Sequence, residues 1–145
     1  MTGHCRFLKT ETGITFFARV WVDAESAGSG IELENALPEA TETGSGEVGR
    51  KSEPSWVEAA LDGMRDAGES AASGSPTGVG YRLRLIRLVG TAVDTRPGAV
   101  RCAAALAAWE AMGLESSPPE PRFDGLDWTL VFPAPTSRDT AEVSR

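Results

Sequence analysis

One histidine, two cysteines and one tyrosine occur in a chain of 145 residues. These scarcities exclude several kinds of chemistry. His4 is the sole imidazole, so a serine or cysteine nucleophile activated by histidine has one position to draw on. A tetrahedral metal site needs several imidazoles or thiolates, which this chain does not offer. Cys5 and Cys102 are too few for a disulfide framework and fit a reducing cytoplasm. No apolar run approaches the ~20 residues of a membrane span. No apolar run follows the first basic residues, so no signal peptide is expected. Positive charge is also short: 14 Lys and Arg stand against 21 Asp and Glu, a net charge of −7. Such a chain repels nucleic acid at long range, and RNA binding would need a local basic patch.

The length suits one domain with a single core. Hydrophobic residues make up 41%, slightly low, because Gly, Ser, Pro and Glu gather in a few stretches that read as loops. Residues 1–13 read as a lead-in, with an edge strand around Cys5 to Leu8. From Ile14 to Val22 the even positions Ile14, Phe16, Ala18, Val20 and Val22 are all apolar, which is the period of a half-buried strand. A turn over Asp23 to Gly30 and a second alternation from Ile31 to Glu34 predict a hairpin of these two strands. Leu37 to Lys51 is acidic, glycine-rich loop. A helix follows, with Ser52 or Glu53 as cap, Pro54 in the first turn, an inner stripe of Val57, Ala60, Leu61 and Met64, and an end at Gly68. Glu69 to Gly78 reads as linker.

Tyr81-Arg82-Leu83-Arg84-Leu85 alternates strictly, then changes phase at Leu85-Ile86, which predicts a bulge. Asp94 is the expected cap of an alanine-rich helix that stops at Gly113. Its small residues would let the backbone lie close to a sheet. Leu114 to Asp127 reads as proline-rich loop, Trp128 to Phe132 as a last strand, and 134–145 as a disordered tail. The fold expected is α+β over residues 14–133, a two-layer sandwich of a three- to four-stranded sheet with two helices on one face.

Three stretches resemble domain IV of bacterial elongation factor G. Ala27-Gly28-Ser29-Gly30-Ile31-Glu32-Leu33 with Asn35 is similar to that family's Pro-Gly-Ser-Gly-Phe-Glu-Phe turn and following Asn. Trp56-Val57 through Gly63-Met64-Arg65-Asp66-Ala67 is similar to its first helix. Val79 to Ala111, with Gly90, Asp94 and the closing Glu110-Ala111, resembles the next strand, turn and helix. The resemblance covers residues 14–112 and implies the ribosomal protein S5 domain 2-like fold and a role in translation. The departures fall on the two tips that reach the decoding site in the family. Ala36 to Ser55 is longer, acidic and lacks the Gly-Gly-Val-Ile-Pro stretch. Thr91-Ala92-Val93 is shorter and lacks the Tyr-His pair. These residues hold no GTPase domain, and translocation activity is not expected to carry over.

Gly44-Ser45-Gly46-Glu47-Val48-Gly49-Arg50-Lys51-Ser52 superficially resembles a phosphate-binding loop. Lys51 and Ser52 come one residue late, and no apolar strand precedes them, so nucleotide binding is not expected. Glu39 with Glu42, and Asp62 with Asp66, read as solvated faces. The better candidate is the outward face of the sheet, where Phe17, Arg19, Trp21, Arg82 and Arg84 are expected together. Aromatics interleaved with arginines can stack bases and hold phosphates. Exposed Trp and Arg also anchor protein partners or a homodimer. Glu32 and Glu34 on the same face would neutralise the arginines and leave it purely structural. The partner is therefore the ribosome or structured RNA, or else a protein. No catalytic residue, cofactor, metal or membrane contact is expected.

Overall fold

The computed structural model describes residues 1–41, 45–74, 78, 80–114 and 117–133. Period-two alternation begins earlier than the sequence suggests. Strand β1 (Thr2–Glu11) pairs along its whole length with β2 (Ile14–Ala27). Thr12 and Gly13 join them, with left-handed φ of 51° and 81°, the conformation a two-residue hairpin turn requires. The expected lead-in over residues 1–13 is therefore a full strand with its hairpin turn. Gly3 hides the pattern: it shares the inner face with Cys5 and Phe7, and a Cβ there would collide with the carbonyl oxygen of Ala107. β2 continues past Val22 because Ala24 still faces the core while Asp23 and Glu25 face out.

β3 (Ile31–Asn35), helix α1 (Pro54–Ser73) and β4 (Gly80–Val89) follow. The sheet order is β1-β2-β4-β3, with β4 antiparallel to β2 and parallel to β3. The expected β2–β3 hairpin is thus corrected, since β4 lies between the two strands. Parallel pairing needs a crossover, and α1 supplies it. β4 earns its central place with Leu83, Leu85 and Leu88 fully buried, whereas Glu32 and Glu34 suit β3 to an edge. The predicted phase change is a bulge: Trp21 faces Arg87 and Val22 faces Leu85, so Ile86 is the extra residue.

α1 does not end at Gly68 but runs to Ser73, replacing the first part of the expected linker with helix. Gly68 is interior because Ile31 packs on it, with side-chain carbons 3.0 Å from where a Cβ would stand. Glu53 occupies the cap position without a side-chain bond, and Ser52 Oγ instead donates to the Gly49 carbonyl. α2 (Pro97–Ala111) and a hairpin of β5 (Glu120–Phe123) with β6 (Trp128–Val131) complete the described fold. The expected loop over 114–127 therefore contains a strand. Its turn is shaped by Asp124, whose Oδ1 accepts from the N–H groups of Leu126 and Asp127 at 2.8 and 2.9 Å. Trp128 is buried against Phe7, Phe16 and Phe123. The expected tail at 134–145 lies outside the described residues.

Both helices cover one face of the sheet, the two-layer arrangement expected, and α2 is the most enclosed element. Cys102, Ala103, Ala104, Ala105, Ala107 and Ala108 are all buried. Asp94 does not cap this helix; its carbonyl accepts from Phe17 N–H at 3.0 Å. The cap comes from the hairpin, where Asp127 Oδ2 accepts from Gly98 N–H at 2.9 Å.

Two stability tests follow from these contacts. Gly63→Ala sets a methyl against the Arg101 carbonyl, and the clash outweighs the ~1 kcal/mol gain in helix propensity. A net loss of about 2–3 kcal/mol is expected in urea unfolding, against a change under about 1 kcal/mol for Gly68→Ala, where only a flexible Ile31 side chain must yield. Asp127→Ala should lower stability by about 1 kcal/mol through the lost cap, and Asp94→Ala by less than about 0.5 kcal/mol. Equal effects at the two aspartates would refute the hairpin-supplied cap.

Candidate binding face

The sheet surface turned away from the helices carries alternate residues of all four strands, so its chemistry is set by register. One row places His4 beside Trp21 and Trp21 beside Arg87. The His4 and Trp21 rings stack with centroids 4.4 Å apart and planes 22° from parallel. The guanidinium groups of Arg19 and Arg87 lie over the indole, 4.8 and 4.5 Å from its centre. Arg19 Nε donates to His4 Nε2 at 3.2 Å, and Arg87 Nε donates to Glu47 Oε1 at 2.9 Å. Trp21 is therefore held between cations in a fixed orientation.

The next rows differ. Arg84 lies between Asp23, at 3.9 Å, and Glu34, at 3.5 Å. Arg82 lies between Glu25, at 3.1 Å, and Glu32, at 3.3 Å. Bonding to Glu32 in particular raises the Arg82 pKa further. Of the five residues expected to act together, Arg19 and Trp21 meet, half-buried Phe17 lies a row further along β2, and Arg82 and Arg84 stand apart in ion pairs of their own. The backbone of Phe17 is fixed at both polar groups, by the Asp94 carbonyl and by Thr95 Oγ1, which donates to its C=O at 2.7 Å. The Trp128 strand does not cover this face but packs on the helix side.

Sequence reasoning missed His4, Arg6 and Arg87. The first two fell in the presumed lead-in. Arg87 was recoverable from the bulge, since an inserted Ile86 returns the following residue to the outward face. His4 is held in β1 by its pairing with Trp21. Its pKa lies below 6.5, chiefly through desolvation and then through the nearby Arg19 charge.

Burial raises the thiol of Cys5 to about 11 and that of Cys102 to about 12, so neither is a thiolate near neutrality. No group of three His, Cys, Asp or Glu side chains among the described residues suits a metal ion. A groove of about 650 Å³ runs between α1, α2 and the β5–β6 hairpin, with Asp62, Asp66, Asp124 and Asp127 on its walls. Each of these carboxylates has a structural partner: Arg65, Arg101, the Asp124 turn's own N–H groups, and the α2 N-terminus. The glycine loop bends back on the domain. Val48 N–H donates to the Leu88 carbonyl at 2.9 Å, and Arg50 donates from its backbone to Pro38 O and from its side chain to Leu37 O. Gly44 lies outside the described residues.

No protein-family model matches the chain, and no curated protein matches it either. In structure it is similar to a protein of Thermus thermophilus known from its crystal structure, at 23% identity and a TM-score of 0.58 over 83% of this chain. The chain spans 17% of that protein's length. At this identity the likeness establishes the fold alone.

The His4 environment sets a pH dependence. A depressed pKa means that the folded state binds fewer protons than the unfolded chain below neutrality, so stability falls with decreasing pH. The contribution is complete above 6.5 and is lost as pH falls from 6.5 through the folded value. An NMR titration of the imidazole should show a midpoint below 6.5, rising partway in Arg19→Ala because desolvation persists. A wild-type midpoint at or above 6.5 would overturn the stacked, neutral His4.

Proposed function

We propose that this chain is a non-catalytic binding module on an elongation factor G domain IV-like scaffold, whose open sheet face docks a protein partner. The observation that carries the reading is the interleaving of charge on that face. Arg82, Arg84 and Arg87 each have carboxylate partners, so little cationic surface remains for a phosphate backbone. What remains is a rigid Trp21 flanked by guanidinium groups, the kind of anchor that dominates protein interfaces. The resemblance over residues 14–112 supports the scaffold, and the altered tips weigh against a decoding-site role.

A second reading, binding to the ribosome or structured RNA, is favoured by one feature. Arg6 and Arg19 lie side by side across β1 and β2, and neither forms an ion pair among the described residues. The same face could also join two copies of the chain.

Affinity capture with wild-type and Trp21→Ala baits, with and without nuclease and at two salt concentrations, separates these readings. A protein retained after nuclease and weakened about tenfold or more by Trp21→Ala is the expected result. Ribosome co-sedimentation that vanishes with nuclease and with moderate salt would replace it with the RNA reading. A salt-insensitive dimer in sedimentation, lost in Trp21→Ala, would identify the partner as a second copy.

A further inference from the structure

The β1 strand ends the sheet on one side, and its backbone alternates between two duties. Residues Gly3, Cys5, Phe7 and Lys9 form the hydrogen-bonded pairs with β2, in phase with Met1, which exchanges both backbone bonds with Ala24. The N–H and C=O groups of His4, Arg6, Leu8 and Thr10 consequently point away from the sheet. The first of these donors is satisfied by a carboxylate, since His4 N–H donates to Glu110 Oε1 at 2.7 Å. Beyond it the edge is open: Arg6, Leu8, Lys9 and Thr10 are exposed, and Leu8 has 44% of its surface free.

Three cations gather along the open part of this edge, between Glu110 at His4 and Glu11 at the end of β1. Arg6, Lys9 and Arg19 form no ion pair among the described residues; Lys9 lies 5.9 Å from the centre of the Phe7 ring. Arg6 and Arg19 are direct cross-strand neighbours, a like-charge pair that disfavours the bare sheet. Leu8 beside Phe17 forms an apolar row next to them. From this geometry we infer that the β1 edge binds an acidic, extended peptide segment by strand addition. An added strand lies about 4.8 Å from β1, its backbone bonding to Arg6, Leu8 and Thr10. Its residues on the outward face alternate so that a carboxylate sits beside Arg6 and an apolar side chain beside Leu8, giving an acidic-x-apolar pattern. A second copy of β1 fits this edge worse, because self-pairing would bring the two Arg6 side chains toward each other on one face and the two Lys9 side chains on the other.

This inference rests on the reading of the sheet as a protein-docking surface, and it locates the contact at the edge. The test uses the full chain and three labelled probes: a glutamate-valine peptide repeating Glu-Ser-Val-Ser, which sets Glu and Val two apart on one face, its lysine-valine counterpart, and oligouridine. Binding is read by fluorescence anisotropy at about 50 mM salt, where electrostatic attraction is strongest. The glutamate-valine peptide should bind and the lysine-valine peptide should not. Amide exchange at Leu8 and Thr10 should slow about tenfold or more when it binds. Leu8→Pro removes an outward N–H that the β1–β2 ladder does not use, and should weaken the peptide about tenfold. Arg6→Glu should weaken it comparably and preserves the test if the proline variant fails to fold, which circular dichroism reports.

No glutamate-valine binding up to about 1 mM would overturn the inference. So would affinity unchanged in both variants, or oligouridine displacing the peptide from the same amides. Loss of the peptide in Trp21→Ala with full binding in Leu8→Pro would leave the docking face standing and remove the edge.

Discussion

Everything in this domain depends on how closely its neighbours approach α2. The helix meets the sheet, α1 and the β5–β6 hairpin, and each contact is made at a glycine. Gly3 lets β1 lie against the Ala107 carbonyl, Gly63 lets α1 lie against the backbone of Arg101 and Ala105, and Gly98 makes room for the capping Asp127 carboxylate. A methyl group at Gly3 or Gly63 would fall inside van der Waals distance of helix backbone, and one at Gly98 would displace the Asp127 carboxylate. Backbone-to-backbone approach multiplies small dispersion contacts, which offsets the modest transfer energy of alanine side chains. The alanines are therefore a geometric necessity, and the larger apolar volume comes from the sheet and the hairpin, through Phe7, Phe16 and Trp128.

Because the helices and hairpin occupy one face of the sheet, strict alternation leaves the other face polar and open. Its two ends resolve charge differently. Around β3, each arginine sits between two carboxylates on neighbouring strands, an arrangement that fixes register but leaves little net field. Around β1, cations outnumber their partners. These ion pairs are exposed and individually weak, so their value is in specifying which strands neighbour which.

The elements legible in the sequence were those whose pattern is local. Period two over Ile14–Val22, the alanine run of α2 and the phase change at Ile86 all needed only neighbouring residues. The misreadings share one cause, a residue whose role is set by a distant partner. Gly68 read as a helix end and Gly3 concealed the inner-face alternation, yet both are close-approach points, for Ile31 and Ala107. Asp94 had the position of a cap, yet Asp127, from the hairpin, performs that role. Pairing of β3 was misassigned because adjacency in sequence favours a hairpin, whereas the crossover helix allows a parallel neighbour. For the face, alternation placed Arg19 and Trp21 on the outward side, but only register brings His4 and Arg87 to the same indole.

The described residues of the two connections, after β3 and before α2, are tied into this domain's own sheet. After β3, Leu37 and Val48 are buried and Gly46 to Val48 runs beside the end of β4, with Gly90 N–H donating to Gly46 O at 2.9 Å. Before α2, the Asp94 carbonyl and the Thr95 hydroxyl complete the backbone bonding of Phe17, beyond the point where β4 stops. Each connection extends the sheet where a strand has run out, satisfying polar groups that would otherwise be stranded beside the core. Segments bonded in this way are poor probes of a distant RNA groove, since reaching outward would expose Leu37 and Val48 and break those bonds. Among the described residues, the open face around Trp21 and the unpaired edge of β1 can meet another molecule without such a penalty.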